Sequence, residues 1–260
     1  MEVLVKKAIK SGNSSAVILP RSWLNKEIRV EIAKKTPEMM LSENIEILRK
    51  YIDLKSVIGI YLAGSYARKE ESADSDIDIL IITENTDREI IKEGIYNILL
   101  VSKALLKQKL ERDLLPLGQM LKEARPLLNS GFLSPIKINV TKRNVKWYID
   151  TTESKLDILE KAINIYKNKK EEGISDFIAY TIILRIRTLY IIESLIKCRN
   201  YMNKDFIRMV KKTAGGTITY ERYLSIKNDT EDENIASLSE AEALCSYLKN
   251  QLSMVKNLLS

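Results

Sequence analysis

Two aspartates at positions i and i+2, Asp76 and Asp78, follow a Gly64-Ser65 pair with ten residues between. Ile79-Leu80-Ile81-Ile82 continues from the aspartates as a predicted strand, so both carboxylates project from one face of it. Aspartate is depleted in strands, and two at the head of an Ile/Leu-rich strand call for a reason. Upstream, the apolar run Val57-Ile58-Gly59-Ile60-Tyr61-Leu62-Ala63 predicts a buried strand that ends at the glycine. A Gly-Ser turn offers backbone N–H groups and a hydroxyl to a polyphosphate, and Arg68 adds a cation close by. Paired carboxylates beside such a turn suit the holding of divalent metal ions against a nucleoside triphosphate. Alone, either element is a common turn or exposed-strand feature. The combination, with the glycine ending one strand and the aspartates opening the next, carries the reading.

Gly64-Ser65-Tyr66-Ala67-Arg68 followed by Ser75-Asp76-Ile77-Asp78 resembles the signature of the minimal nucleotidyltransferases of the polymerase-beta superfamily. The specific match spans about residues 57–101. The resemblance implies metal-binding, catalytic aspartates at Asp76 and Asp78 and a phosphate-gripping turn at Gly64 and Ser65, with Arg68 among the nucleotide-binding residues. It further implies two Mg²⁺ ions about 3.5–4 Å apart that align the attacking and leaving oxygens. ATP is the expected substrate, and an acceptor hydroxyl would attack its α-phosphorus. That acceptor belongs to a protein or to a small molecule.

The family usually supplies a third carboxylate from the next strand. Here that strand is expected at Ile95-Tyr96-Asn97-Ile98-Leu99-Leu100-Val101, and its polar inward residue is Asn97. An asparagine is isosteric with aspartate but is neutral and accepts no proton at physiological pH. In a different register Glu93, Glu89 or Asp87 takes its place. The alternative reading is therefore a catalytically weak or inactive nucleotide-sensing, DNA-binding transcriptional regulator.

Composition removes other chemistries. The chain has no histidine, so imidazole bases, Ser-His or Cys-His pairs and histidine zinc sites are excluded. Cys198 and Cys245 lie in apolar helical contexts and read as buried thiols of a reducing compartment. No stretch approaches the roughly 18 apolar residues of a membrane span, and no charged-then-apolar leader opens the chain. A cytoplasmic protein is expected.

The net charge of +7 is concentrated at the amino terminus, where residues 1–36 hold eight Lys/Arg against three acids. Such a basic segment suggests a polyanion partner. Val3-Leu4-Val5, Ala16-Val17-Ile18-Leu19 and Ile28-Arg29-Val30-Glu31-Ile32 read as short strands, with Ser11-Gly12-Asn13-Ser14 as a turn. Arg21 to Glu27 reads as one or two helical turns, with Trp23 and Leu24 packing inward. Lys10-Ser11-Gly12-Asn13-Ser14 through Pro20 resembles the swapped-hairpin DNA-binding family of transition-state regulators and antitoxins. The resemblance implies DNA-facing Lys10, Asn13, Ser14 and Arg21. So short a segment cannot enclose a core alone, so a homodimer is the corollary.

These elements frame an α+β, multidomain chain. Residues 1–36 form the swapped-hairpin segment, 37–140 the mixed-sheet nucleotidyltransferase core, and 141–260 a helical bundle. Thr36 as N-cap and Pro37 at the first position open a helix to about Ile52. Ser102 caps another, and Leu114 to Leu128 reads as a packed surface helix. Beyond Thr141, Lys155 to Lys169, Phe177 to Lys197 and Leu238 to Leu259 show helical periodicity, with Ile178 to Ile196 expected at the centre. Ala214 to Thr217 reads as a loop, and Asp229 to Glu233 as a solvated acidic connection. The bundle is similar to the HEPN type, whose ribonucleases need a histidine that this chain lacks. An antitoxin-like role is a further implication of these resemblances.

Overall fold

In the computed structural model, residues 4, 6, 8–30, 35–72, 75–230 and 235–260 are described. Strands β1 (Ile9–Ser11) and β2 (Ser14–Ala16) form a two-stranded antiparallel hairpin. Gly12 turns it with φ +62°, a left-handed conformation that glycine reaches without a Cβ penalty. A 3-10 turn follows at Arg21–Trp23.

Helix α1 (Pro37–Leu48) starts as expected, the Thr36 hydroxyl accepting the Met39 N–H at 3.3 Å. Then come β3 (Val57–Ala63), α2 (Gly64–Arg68), β4 (Ile77–Thr83), β5 (Arg88–Glu93) and β6 (Tyr96–Ser102). Helices α3 (Lys103–Arg112) and α4 (Leu115–Glu123), strand β7 (Arg125–Leu128) and α5 (Ser130–Leu133) complete this part. The five-stranded sheet has the order β5-β6-β4-β3-β7. It is mixed, since β4 runs parallel to β6 while the other neighbours are antiparallel.

Both faces of the sheet are covered, which explains its near-continuous apolar runs. One face sets Ile60, Leu62, Ile79, Ile81 and Ile98 against Met40 and Leu48 of α1. The other sets Tyr61, Leu80, Ile82 and Val101 against Leu106 of α3 and Leu117 and Leu121 of α4. Asp78 and Asn97 share the second face with Leu80 and Val101, by the alternation of strand side chains.

The remainder is a bundle of α6 (Lys142–Lys169), α7 (Asp176–Ile196), α8 (Asn203–Ala214), α9 (Ile218–Asn228) and α10 (Leu238–Leu258). Helix α7 is its centre, with Ile182, Ile183, Ile186, Leu189 and Ile192 fully buried. Leu114 belongs to the same core, so the α3–α4 junction is built into the bundle.

Several expectations shift. Leu114 to Leu128 is not one helix. It breaks after Glu123, and Arg125–Leu128 adds an edge strand beside β3 instead. Tertiary pairing overrides a helix-like pattern here, and Pro126 sits on an edge strand as proline requires. Strand β5 has no counterpart in the reading of the sequence. In the amino-terminal segment, β2 ends at Ala16, so Val17, Ile18 and Leu19 lie beyond the hairpin. Leu24 is 71% exposed rather than inward. Residues 28–30 form no strand, and Glu31 and Ile32 lie outside the described residues. Val3 and Val5 do too, as do residues 231–233 of the acidic stretch expected from Asp229 to Glu233. Cys245 is buried, but Cys198 is exposed at the end of α7.

Candidate active site

The site is assembled at the end of β3, the start of β4 and the start of β6. Strand β3 delivers the chain into Gly64, whose φ is +66°. A Cβ at Gly64 would stand 2.0 Å from Asp78 Oδ2, so glycine is required both by the backbone and by the approach of that carboxylate. Ser65 follows in the single turn of α2, half-buried, and its carbonyl accepts the Glu70 N–H at 2.9 Å.

Asp78 is paired in register with Ala63 on one side and with Asn97 on the other. Asn97 Nδ2 lies 3.1 Å from Asp76 Oδ2 and 3.5 Å from Asp78 Oδ1, so one amide bridges both carboxylates. Asp76 is exposed and Asp78 half-buried. Burial raises the Asp78 carboxyl above its ordinary value, and the Asp76 charge adds to this; the Asn97 hydrogen bond, Arg68 and Lys227 pull the other way.

Of the acids considered for the third position, Glu93 and Asp87 are placed elsewhere, and the side chain of Glu89 lies outside the described residues. Glu93 accepts from the Tyr51 hydroxyl at 2.6 Å, on the α1 side of the sheet. Asp87 accepts from Ser102 N and Oγ at 2.6 and 3.1 Å, at the opposite end of β6. Asn97 thus occupies the position facing the pair.

Arg68 is engaged by carboxylates. Its Nη1 donates to Glu123 Oε2 at 2.7 Å and its Nε to Glu70 Oε2 at 3.0 Å. Burial works against the guanidinium charge, and Glu123 and then Glu70 more than offset it. The second oxygen of Glu123 accepts the Gly64 N–H at 2.7 Å. Glu123 and Glu70 were not picked out from the sequence. Glu123 lies 59 residues from Gly64, and no local pattern marks it. Lys227, from α9, was likewise missed.

The residues expected to face DNA are all exposed. Lys10, Asn13 and Ser14 lie on the hairpin and Arg21 opens the 3-10 turn that follows.

Residues 45–188 match the family model of the nucleotidyltransferase domain. The chain belongs to that family. Structural similarity extends to a nucleotidyltransferase-like protein from Exiguobacterium sibiricum 255-15, at 12% identity over 85% of this chain and 77% of that one, with a TM-score of 0.38. It also extends to spectinomycin adenyltransferase AAD(9) from Enterococcus faecialis, solved with ATP and spectinomycin. There the identity is 16% over 82% of this chain and 99% of that one, with a TM-score of 0.39. No curated protein matches the chain. Among the described residues of this nucleotidyltransferase, no helix is long and apolar enough to cross a membrane. None of its described Cys, Asp or Glu residues forms a group of three or more fit to hold a metal ion.

Proposed function

We propose that this nucleotidyltransferase moves an NMP group, AMP first among them, from a nucleoside triphosphate to an acceptor hydroxyl, with Mg²⁺ held by Asp76 and Asp78. The observation that supports it best is the contact of the Gly64 turn with Asp78, close enough that no larger residue fits between them. A triphosphate on the turn would thereby lie beside the paired carboxylates. The donor set suits Mg²⁺, which takes few protein carboxylates and completes its shell with phosphate oxygens and water. Two carboxylates bridged by one neutral amide, one of them raised by burial, are a place where a divalent cation relieves repulsion. When bound, Mg²⁺ would neutralise charge on the transferring phosphoryl group. Gly64 and Ser65 would orient the phosphates. Asn97 would orient the carboxylates without taking a proton. Lys227 would add positive charge from the bundle side.

The test is incubation of the protein with α-phosphate-labelled ATP and Mg²⁺, alone and with cell lysate, beside the Asp76→Asn/Asp78→Asn variant. Label transferred by the wild type alone supports the reading and identifies the acceptor. Absence of transfer with Mg·ATP still bound favours a nucleotide-sensing regulator, with Asn97 as the reason.

That second reading draws on the amino-terminal segment. No residue from 8 to 30 is buried, and Ile9, Ile18, Leu24, Ile28 and Val30 are between 45% and 71% exposed. Apolar side chains so placed call for a covering partner, and a second copy of the segment, interlaced as a homodimer, would supply it. Lys10 and Arg21 would then contact DNA phosphates, with Asn13 and Ser14 beside them. An antitoxin-like role, in which such a module acts on DNA while the transferase modifies a partner protein, belongs to this reading.

A further inference from the structure

One unbroken polar chain runs from the Gly64 amide into the helical bundle. Gly64 N–H donates to Glu123 Oε1 at 2.7 Å. Glu123 Oε2 receives Arg68 Nη1 at 2.7 Å and Gln119 Nε2 at 2.8 Å. Arg68 then donates to Glu70, and Glu70 accepts the backbone N–H groups of Asn203 and Lys204 at 2.9 and 3.3 Å. Those two amides open α8 and have no acceptor within the helix itself. The side chains of Arg68, Glu70 and Glu123 are only 13%, 11% and 7% exposed. Bonds between ions so shielded are stronger and more directional than surface pairs.

We propose that Arg68 and Glu70 are positioning residues that tie the Gly64-Ser65 turn to α8, so that the turn is held in shape only while the bundle is docked. Arg68 accordingly serves the nucleotide by fixing the turn rather than by binding phosphate. Its guanidinium is divided between two carboxylates and packs 5.4 Å from the centre of the Tyr201 ring. Tyr201 is buried and its hydroxyl donates to Asn203 Oδ1, closing a loop of contacts around the start of α8. The effect on nucleotide rests on the proposed reading that the turn seats a triphosphate.

Asn203→Pro is the discriminating change. It deletes the N–H given to Glu70 at the first helical position, where proline is well accommodated. The preceding Met202 is already extended, at φ −125° and ψ 126°, as a residue before proline should be. Asn203→Ala keeps the N–H and is the control for the lost side chain; Glu70→Gln removes the charge. The readouts are amide hydrogen exchange at residues 64–66 in the full chain and Mg·ATP affinity by calorimetry. We expect faster exchange in Asn203→Pro and Glu70→Gln, with affinity weakened about tenfold, and a change within about twofold in Asn203→Ala.

Unchanged exchange in both variants overturns the proposal, whether or not the protein binds nucleotide. Faster exchange with unaltered affinity overturns it as well. Faster exchange in a protein that never binds Mg·ATP supports the tie and sinks the triphosphate reading instead. Tighter binding in Glu123→Gln would mark Glu123 as an anion competing with phosphate, and would overturn the positioning role.

Discussion

Asn97 faces Asp78 across parallel strands and donates to both Asp78 and Asp76 through a single amide nitrogen. A carboxylate in its place would bring three negative charges together. Asn97→Asp should therefore lower the melting temperature of the metal-free protein, through like-charge repulsion. Added Mg²⁺ should restore more stability to this variant than to the wild type. Thermal unfolding with and without Mg²⁺ checks this, and equal Mg²⁺ shifts in the two proteins would count against it.

Asp78 is held ionised at a cost. Burial raises its folded-state pKa, so the native protein binds that proton more tightly than the unfolded chain does. Stability from this group therefore falls as pH rises from its ordinary value of 3.8 through the folded one. The cost is fully present once the pH lies above the folded value. Asp78→Asn should raise the melting temperature, by about 2 °C, while removing Mg·ATP binding. A lower melting temperature in the variant would contradict the account.

Gly64→Ala should damage both fold and site. The left-handed backbone costs a non-glycine residue about 1–2 kcal/mol. The added Cβ would also collide with Asp78 Oδ2 at 2.0 Å. Urea unfolding measures the first effect. Loss of Mg·ATP affinity beyond what the stability change explains measures the second.

Glu70 ties the sheet part to the bundle, and its titration should be visible. Burial raises its pKa, but the Asn203 amide, Arg68 and the Lys204 amide together bring it below the ordinary 4.5. Arg68 faces it from α2, Asn203 and Lys204 from α8, and Tyr220 from α9. A depressed carboxylate contributes stability above its unfolded pKa and loses it as pH falls through the folded one. Acid unfolding below pH 4.5 should therefore be less steep in Glu70→Gln than in the wild type. Superimposable acid transitions would refute this.

Deleting residues 1–33 should lower the oligomeric state and the affinity for duplex DNA, with the remaining fold intact. The loss of DNA binding should shrink as salt rises, because phosphate contacts release counterions. Light scattering gives the mass, and an unchanged mass in the truncated chain would remove the interlaced homodimer.

The sequence alone determined the strand–turn–strand frame of the site. A seven-residue apolar run into Gly64, and a second strand opened by Asp76 and Asp78, follow from local patterns that act over a few residues. The same holds for the Thr36 and Ser102 caps and for the central α7, apolar around much of its circumference. Tertiary structure decided which distant groups meet there. Asn97 reaches the aspartates through parallel pairing of β4 with β6, and Glu123 reaches Gly64 because α4 ends beside the turn. Arg125–Leu128 became a strand because β3 offered an open edge, against a pattern that reads as helix. Local propensity is worth tenths of a kcal/mol per residue, whereas a paired edge and a buried carboxylate contact are each worth roughly 1 kcal/mol or more. The elements were thus legible one at a time, while the partners of Arg68 and Asp78 were fixed only by packing across the whole chain.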